Sequence, residues 1–169
     1  MKLYLVRHAE AADKAADPNR PLTPAGVRET ELLRQLLLRF DLKLDAIWHS
    51  PKARSAQTAG ILLPCTACKR GLVQRKNIKP MSKTEHVIPE LLQARGDLMI
   101  VGHLPHLAEL AARLLKWTKA ARRIDWGKPS VLVLEKTKGT RWTLLWMAGP
   151  ETVHTILKKR KQTPQLKRR

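Results

Sequence analysis

Arg7-His8, Arg54 and His103 are the residues of this sequence best suited to chemistry on a phosphate. A guanidinium presents a planar fork of donors that matches phosphoryl oxygens, and two of them neutralise a dianion. A neutral imidazole is a competent nucleophile near neutral pH, and a second can donate to charge developing in the transition state. Residue type alone leaves open which of His8 and His103 attacks. The sequence holds no glycine-rich phosphate loop, no Cys-x5-Arg loop and no Asp-x-Asp pair for magnesium. Phosphoryl transfer would therefore run without metal, through arginine and histidine. His49, His86, His106 and His154, taken singly, read as structural or solvated.

These residues matter only if the fold brings them together. Lys2 to Val6 is a short apolar run that predicts a strand ending in Arg7-His8. Ala9 to Leu22 reads as a polar loop, and Thr23-Pro24 as a helix N-cap with proline in the first helical position. Leu32, Leu33, Leu36, Leu37 and Phe40 then recur with the spacing of a helix packed on a sheet. Asp45 to His49 predicts a second strand, broken by Ser50-Pro51, with helical spacing resuming over Lys52 to Leu63 and placing Arg54 in its first turn. Pro64 to Met81 reads as loop, and Glu85 to Ala94 as a short helix. Leu98 to Val101 predicts a third strand ending in Gly102-His103, followed by a helix over His106 to Trp117. Ser130 to Glu135 and Arg141 to Met147 flank Lys138-Gly139 as a hairpin would. Helices alternating with the first three strands imply a single-domain, three-layer α/β/α sandwich around a mostly parallel sheet. In such sheets ligands bind beyond the carboxyl ends of the strands, where all the candidate residues fall.

The stretch Leu3-Tyr4-Leu5-Val6-Arg7-His8-Ala9-Glu10-Ala11 resembles the opening signature of the histidine phosphatase superfamily. Arg20-Pro21-Leu22-Thr23-Pro24-Ala25-Gly26, Ser50 to Ala59 and Val101-Gly102-His103-Leu104-Pro105-His106 are similar to its SixA phosphohistidine phosphatase branch. The resemblance runs from Leu3 to about Leu115 and implies a phosphoglycerate mutase-like fold. It also implies that His8 is the nucleophile and is transiently phosphorylated, that Arg7 and Arg54 hold the phosphoryl oxygens, that Arg20 also binds the substrate, that His103 completes the pocket, and that no cofactor is needed. Water would then hydrolyse the phosphoenzyme. The expected partner is a phosphohistidine-containing protein such as a phosphotransfer domain, with phosphate or small anions in the pocket. The alternatives are a general small-molecule phosphomonoesterase and a non-catalytic basic module that binds phosphoproteins or nucleic acid. The intact quartet Arg7, His8, Arg54 and His103 argues against the last.

Two departures from the pattern stand out. Ala9 occupies a position where much of the superfamily has glycine. Many members also place a carboxylate in the middle loop to protonate an alcohol leaving group, whereas Lys76 to Lys83 contains no acid. Glu85 and Glu10 are the nearest candidates. An alkoxide resembles hydroxide and needs that proton, but imidazole, with a conjugate-acid pKa of about 6.5, departs readily from a phosphoramidate. A site without an acid favours phosphohistidine.

The 169 residues, 43% hydrophobic and 28% charged, suit one soluble domain. Apolar runs are too short for a bilayer span, and Met1 to Val6 leaves no room for a signal sequence before Arg7, so the expected compartment is the cytoplasm. Cys65 and Cys68 form a lone C-x-x-C with no second pair of ligands, and read as ordinary free thiols. The net charge is +19, concentrated in Lys158 to Arg169 and in Lys69 to Lys83. Such a balance favours anionic partners. The tryptophans near basic residues read as core positions, so no nucleic-acid partner is expected. Domain boundaries follow from composition: a phosphatase domain over 1–156 and a basic, disordered tail over 157–169.

Overall fold

The computed structural model describes residues 1–117 and 124–161. Its sheet begins with β1 (Lys2–Arg7), whose Leu3, Tyr4, Leu5 and Val6 are all buried. Burial of consecutive residues means that both faces of the strand are covered, as the continuous apolar run requires. The remaining strands are β2 (Leu42–His49), β3 (Thr66–Cys68), β4 (Leu72–Gln74), β5 (Asp97–Gly102), β6 (Ser130–Lys136) and β7 (Trp142–Ala148). Their order is β3-β2-β5-β1-β6-β7, with β4 also paired to β2. β1, β2 and β5 run parallel, with Val6 opposite Val101 and His49 opposite Val101 on the other side. β6 is antiparallel to β1 and sets Ser130 opposite Arg7.

Helices cover both faces. On one side lie α1 (Pro24–Leu37), α2 (Ala53–Leu62) and α5 (Pro150–Lys161), whose Leu33, Leu36, Leu37, Leu62 and Val153 pack on Tyr4, Val6, Met99 and Val133. On the other lie α3 (Ile88–Gln93) and α4 (His106–Leu114), whose Leu91, Leu107 and Leu110 pack on Leu3, Leu5, Ile100 and Leu132. The result is the expected three-layer sandwich. Thr23 caps α1, its Oγ1 accepting the Gly26 N–H at 3.0 Å, with Pro24 in the first turn. No helix among the described residues is long and apolar enough to cross a membrane.

Four local expectations are corrected. Pro64 to Met81 is not simply loop: β3 and β4 lie within it and extend the sheet beside β2, one against each half of that strand. Phe40 is exposed rather than packed beneath α1, because the chain tightens into a 3-10 turn over Leu38–Phe40; its ring stacks on Trp146 at 5.0 Å between centroids. The chain is helical from Pro150 to Lys161, so regular structure continues past residue 156 into the segment expected as tail. Val153 is buried against α1, and His154 Nε2 meets the Glu29 carboxylate at 2.9 Å. Residues 162–169, the rest of that expected tail, lie outside the described residues. The helix expected over His106 to Trp117 ends at Leu114, and Lys116 takes a left-handed conformation at φ 53°.

Candidate active site

The carboxyl ends of β1, β5 and β2 are adjacent, and the four phosphate-suited residues gather there. His8 follows the last residue of β1, and its backbone N–H donates to Gly102 O at 3.0 Å, which ties the end of β1 to the end of β5. Its ring is 8% exposed. Nδ1–H donates to Ala9 O at 2.6 Å, so the proton sits on Nδ1 and Nε2 carries the lone pair. Arg54, in the first turn of α2, donates from Nε to that Nε2 at 3.2 Å. His103 stands just past β5, its ring centroid 4.8 Å from that of His8 and tilted by 57°. His103 Nε2 is hydrogen-bonded to Ser50 Oγ at 2.9 Å, and its buried Nδ1 has no partner among the described residues.

Arg7 approaches from the β6 side. One of its terminal nitrogens donates to Trp126 O, while its buried Nε and the buried Ser130 Oγ opposite it have no partner among the described residues. Buried polar atoms are ordinarily satisfied, so Arg7 Nε, His103 Nδ1 and Ser130 Oγ clustered at these strand ends suit a ligand rich in acceptors.

Burial sets the protonation state. It drives the His8 pKa down to about 4, with the positive charges of Arg54, Lys128 and Arg7 adding to the shift despite the bond to Ala9 O. Burial also lowers His103 to about 3, helped by His8, Arg54 and Lys52. Both imidazoles are therefore neutral at neutral pH, as a nucleophile and a hydrogen-bond donor require. Burial also draws the Arg7 and Arg54 guanidiniums below their ordinary values, Arg20 adding to the effect on Arg54. As arginines they remain cations.

A layer of small polar side chains holds the constellation. Ala9 N–H donates to Thr58 Oγ1 at 3.2 Å, and that hydroxyl donates to Arg54 O at 2.7 Å, joining the His8 loop to the helix that carries Arg54. Ser55 Oγ accepts from Ser50 N–H at 3.1 Å and donates to Val101 O at 2.7 Å, fixing the ends of β2 and β5 together. Ala9 is fully buried and lies outside the positive-φ residues, so its methyl is accommodated without backbone strain.

Arg20 lies in the Ala9 to Leu22 loop, its Nε donating to Ala12 O at 3.1 Å, and it shares a cleft wall with Arg54. The two acids proposed from the sequence are engaged elsewhere. Glu85 pairs with Arg113 at 2.7 Å, and its own backbone N–H together with Arg113 holds its carboxyl below the usual range. Glu10 Oε1 accepts from Thr23 Oγ1 at 2.6 Å. Among the described residues, no carboxylate is hydrogen-bonded to His8, Arg54 or His103.

His49, although at the end of β2, turns aside and donates from Nδ1 to Ser50 O at 2.9 Å. His106 is fully buried, neither ring nitrogen has a partner among the described residues, and burial lowers its pKa. Cys65 Sγ lies 2.9 Å from Leu62 O, and burial pushes its thiol up to about 11; both cysteines are free. Sequence reasoning did not single out Ser50, Thr58 or Lys128. Ser50 and Thr58 lie at fixed offsets from the helix-start Arg54, a detectable signal. Lys128 has none, because only the β1–β6 register brings its segment beside Arg7.

Comparison with known proteins places these features in a family. The model of the histidine phosphatase superfamily (branch 1) matches residues 3–72. An uncharacterised protein of Picosynechococcus sp. is 36% identical over 121 residues, covering 66% of this chain and 71% of its own. The phosphohistidine phosphatase SixA of Escherichia coli is 27% identical over 120 residues, covering 68% of this chain and 74% of its own. The structure of protein histidine phosphatase SixA complexed with tungstate superposes with a TM-score of 0.80 at 22% identity, over 90% of this chain and 99% of the other, which establishes the fold.

Proposed function

From the premise that the chain belongs to the histidine phosphatase superfamily, we propose that it removes phosphate from phosphohistidine on a phosphotransfer or signalling protein. The observation that carries the reading is the composition of the site: a nucleophilic Nε2 among cationic and neutral donors, with both nearby glutamates committed elsewhere. In the first step His8 Nε2 attacks phosphorus as the bond to the substrate imidazole breaks. Arg7 and Arg54 balance the phosphoryl charge, and His103 donates to an oxygen on which charge builds. The substrate ring, protonated on its other nitrogen, leaves as neutral imidazole and needs no acid from the enzyme. Water then attacks the phosphorus on His8, releasing phosphate and restoring the neutral imidazole. An alcohol leaving group would need a proton that this constellation does not supply.

The test is loss of phosphate from a phosphohistidine-carrying transfer domain, comparing the native chain with His8→Ala. Rapid loss that falls by more than about 10³-fold in the variant is expected for a covalent nucleophile. No loss with native protein, alongside turnover of a phosphomonoester, overturns the substrate in favour of a small-molecule phosphatase. Activity that survives His8→Ala overturns the nucleophile.

A further inference from the structure

A cleft of about 510 Å³, walled by Lys14, Arg20, Lys52 and Arg54 with Pro18 and Asn19, adjoins the His8 site through Arg54. Every charged side chain on its wall is a cation. The acids of the same loop are turned to the backbone: Asp13 Oδ1 accepts the Ala15 N–H at 2.9 Å, and Asp17 Oδ1 the Asn19 N–H at 2.8 Å. Among the described residues, Lys14, Arg20 and Lys52 make no ion pair. Arg20 holds its position through the backbone, with φ 53° and its Nε committed to Ala12 O. Arg54 joins the cleft to the catalytic candidates, since its Nε reaches His8 while the residue lines the cleft. Converging like charges repel, and a fold that gathers them without counter-charge gains most from an anion between them.

We propose that this cleft, through Lys14, Arg20 and Lys52, binds a second anionic group, carboxylate or phosphate, of the same substrate whose phosphoryl group meets His8. The inference rests on the phosphatase reading and adds a selectivity to it: substrates with a second negative charge beside the phosphoryl group are preferred. Arg54 supplies the link between the two charges.

The experiment compares orthophosphate with tripolyphosphate by calorimetry at 0.15 M salt, where long-range attraction is screened beyond about 8 Å. Native protein binds tripolyphosphate about tenfold more tightly, as two extra charge contacts of up to ~1 kcal/mol each allow. Lys14→Ala/Lys52→Ala brings tripolyphosphate to the level of orthophosphate, whereas Lys69→Ala/Lys79→Ala, which removes the same charge elsewhere, keeps the preference. The proposal is overturned if the native protein shows no preference, if the preference survives the first double variant, or if both variants lose it equally. Failure of the native protein to bind orthophosphate strikes the phosphatase reading instead. A second arm identifies the source of the anion. If Lys14→Ala/Lys52→Ala slows turnover of a phosphohistidine protein about tenfold only when acidic residues flank its histidine, carboxylates are the natural occupants. Unchanged protein turnover with a lost tripolyphosphate preference assigns the cleft to a second phosphate.

Discussion

A single backbone carbonyl sets the tautomer in which His8 would attack under the proposed mechanism. Ala9 O accepts the hydrogen bond from Nδ1–H, which leaves the Nε2 lone pair facing Arg54 Nε. His103 has no such carbonyl; its orientation rests on Ser50 Oγ, which also accepts the Lys52 N–H at 3.3 Å. Ser50 is therefore a positioning residue. Ser50→Ala leaves His103 Nε2 unpartnered in a buried site and frees the ring to rotate, so kcat is expected to fall about tenfold, as one misoriented transition-state donor costs ~1–2 kcal/mol. KM should change little, because Arg7 and Arg54 still hold the ground-state phosphoryl group, and Ser50→Thr should restore most of the rate. The fall should persist after kcat is normalised to the folded fraction read by circular dichroism, whereas a merely structural serine would lower that fraction and leave the normalised kcat unchanged. At this scale the sequence was informative: Arg7, His8, Arg54 and His103 each stand at a strand end or helix start that the apolar runs predict. The residues that orient them were harder to see, because a serine or threonine has no chemistry of its own that distinguishes a buried strut from a surface hydroxyl.

Among the elements, α1 does more than cover the sheet. A Cβ at Gly26 would lie 2.1 Å from Glu10 O and 3.0 Å from Glu10 C, so the first turn of α1 presses on the backbone two residues beyond His8. Backbone cannot yield as a flexible side chain can. Gly26→Ala is thus expected to push the Glu10 segment away, at a cost of about 1–3 kcal/mol, and to disturb the Ala9 carbonyl that orients His8. Urea unfolding should show the lower midpoint, and phosphohistidine turnover should fall by more than the loss of folded protein explains. Strand β1, the parallel partners β2 and β5, and the capped start of α1 were legible because continuous apolar runs and Thr-Pro have few other solutions. Strands β3 and β4 were not: each has three residues, too few for a period, and Gly71 at φ 63° interrupts them. The helix α5 was hidden by composition. Its lysine-rich end reads as solvated chain, yet Val153 and the His154–Glu29 contact are enough to seat it on α1.

Across the whole molecule, the electrostatics needed for catalysis work against acid stability. His8 and His103 are neutral in the folded protein down to about pH 4 and 3, and His106 is likewise lowered by burial. In the unfolded chain all three titrate near 6.5, so below that pH the unfolded state binds more protons than the native one. For a base whose folded pKa is depressed, stability is fully present above the unfolded value and is lost as pH falls toward the folded one. Each proton taken up on unfolding costs about 1.4 kcal/mol per pH unit, so His8 and His103 together give a slope of about 3 kcal/mol per unit between pH 6 and pH 4, and His106 acts in the same direction. Set against a typical stability of about 5–15 kcal/mol, and with a net charge of +19 already opposing compaction, that slope unfolds the chain before His8 protonates in the native state. The acid limit of activity should therefore coincide with loss of structure by circular dichroism, and both should move to lower pH when salt screens the self-repulsion. His106→Gln, which removes a titrating group without touching the reacting atoms, should flatten the dependence of stability on pH. An acid limb that stayed near pH 6 to 7 in a fully folded protein would mean that His8 titrates as an ordinary exposed histidine, contrary to its burial.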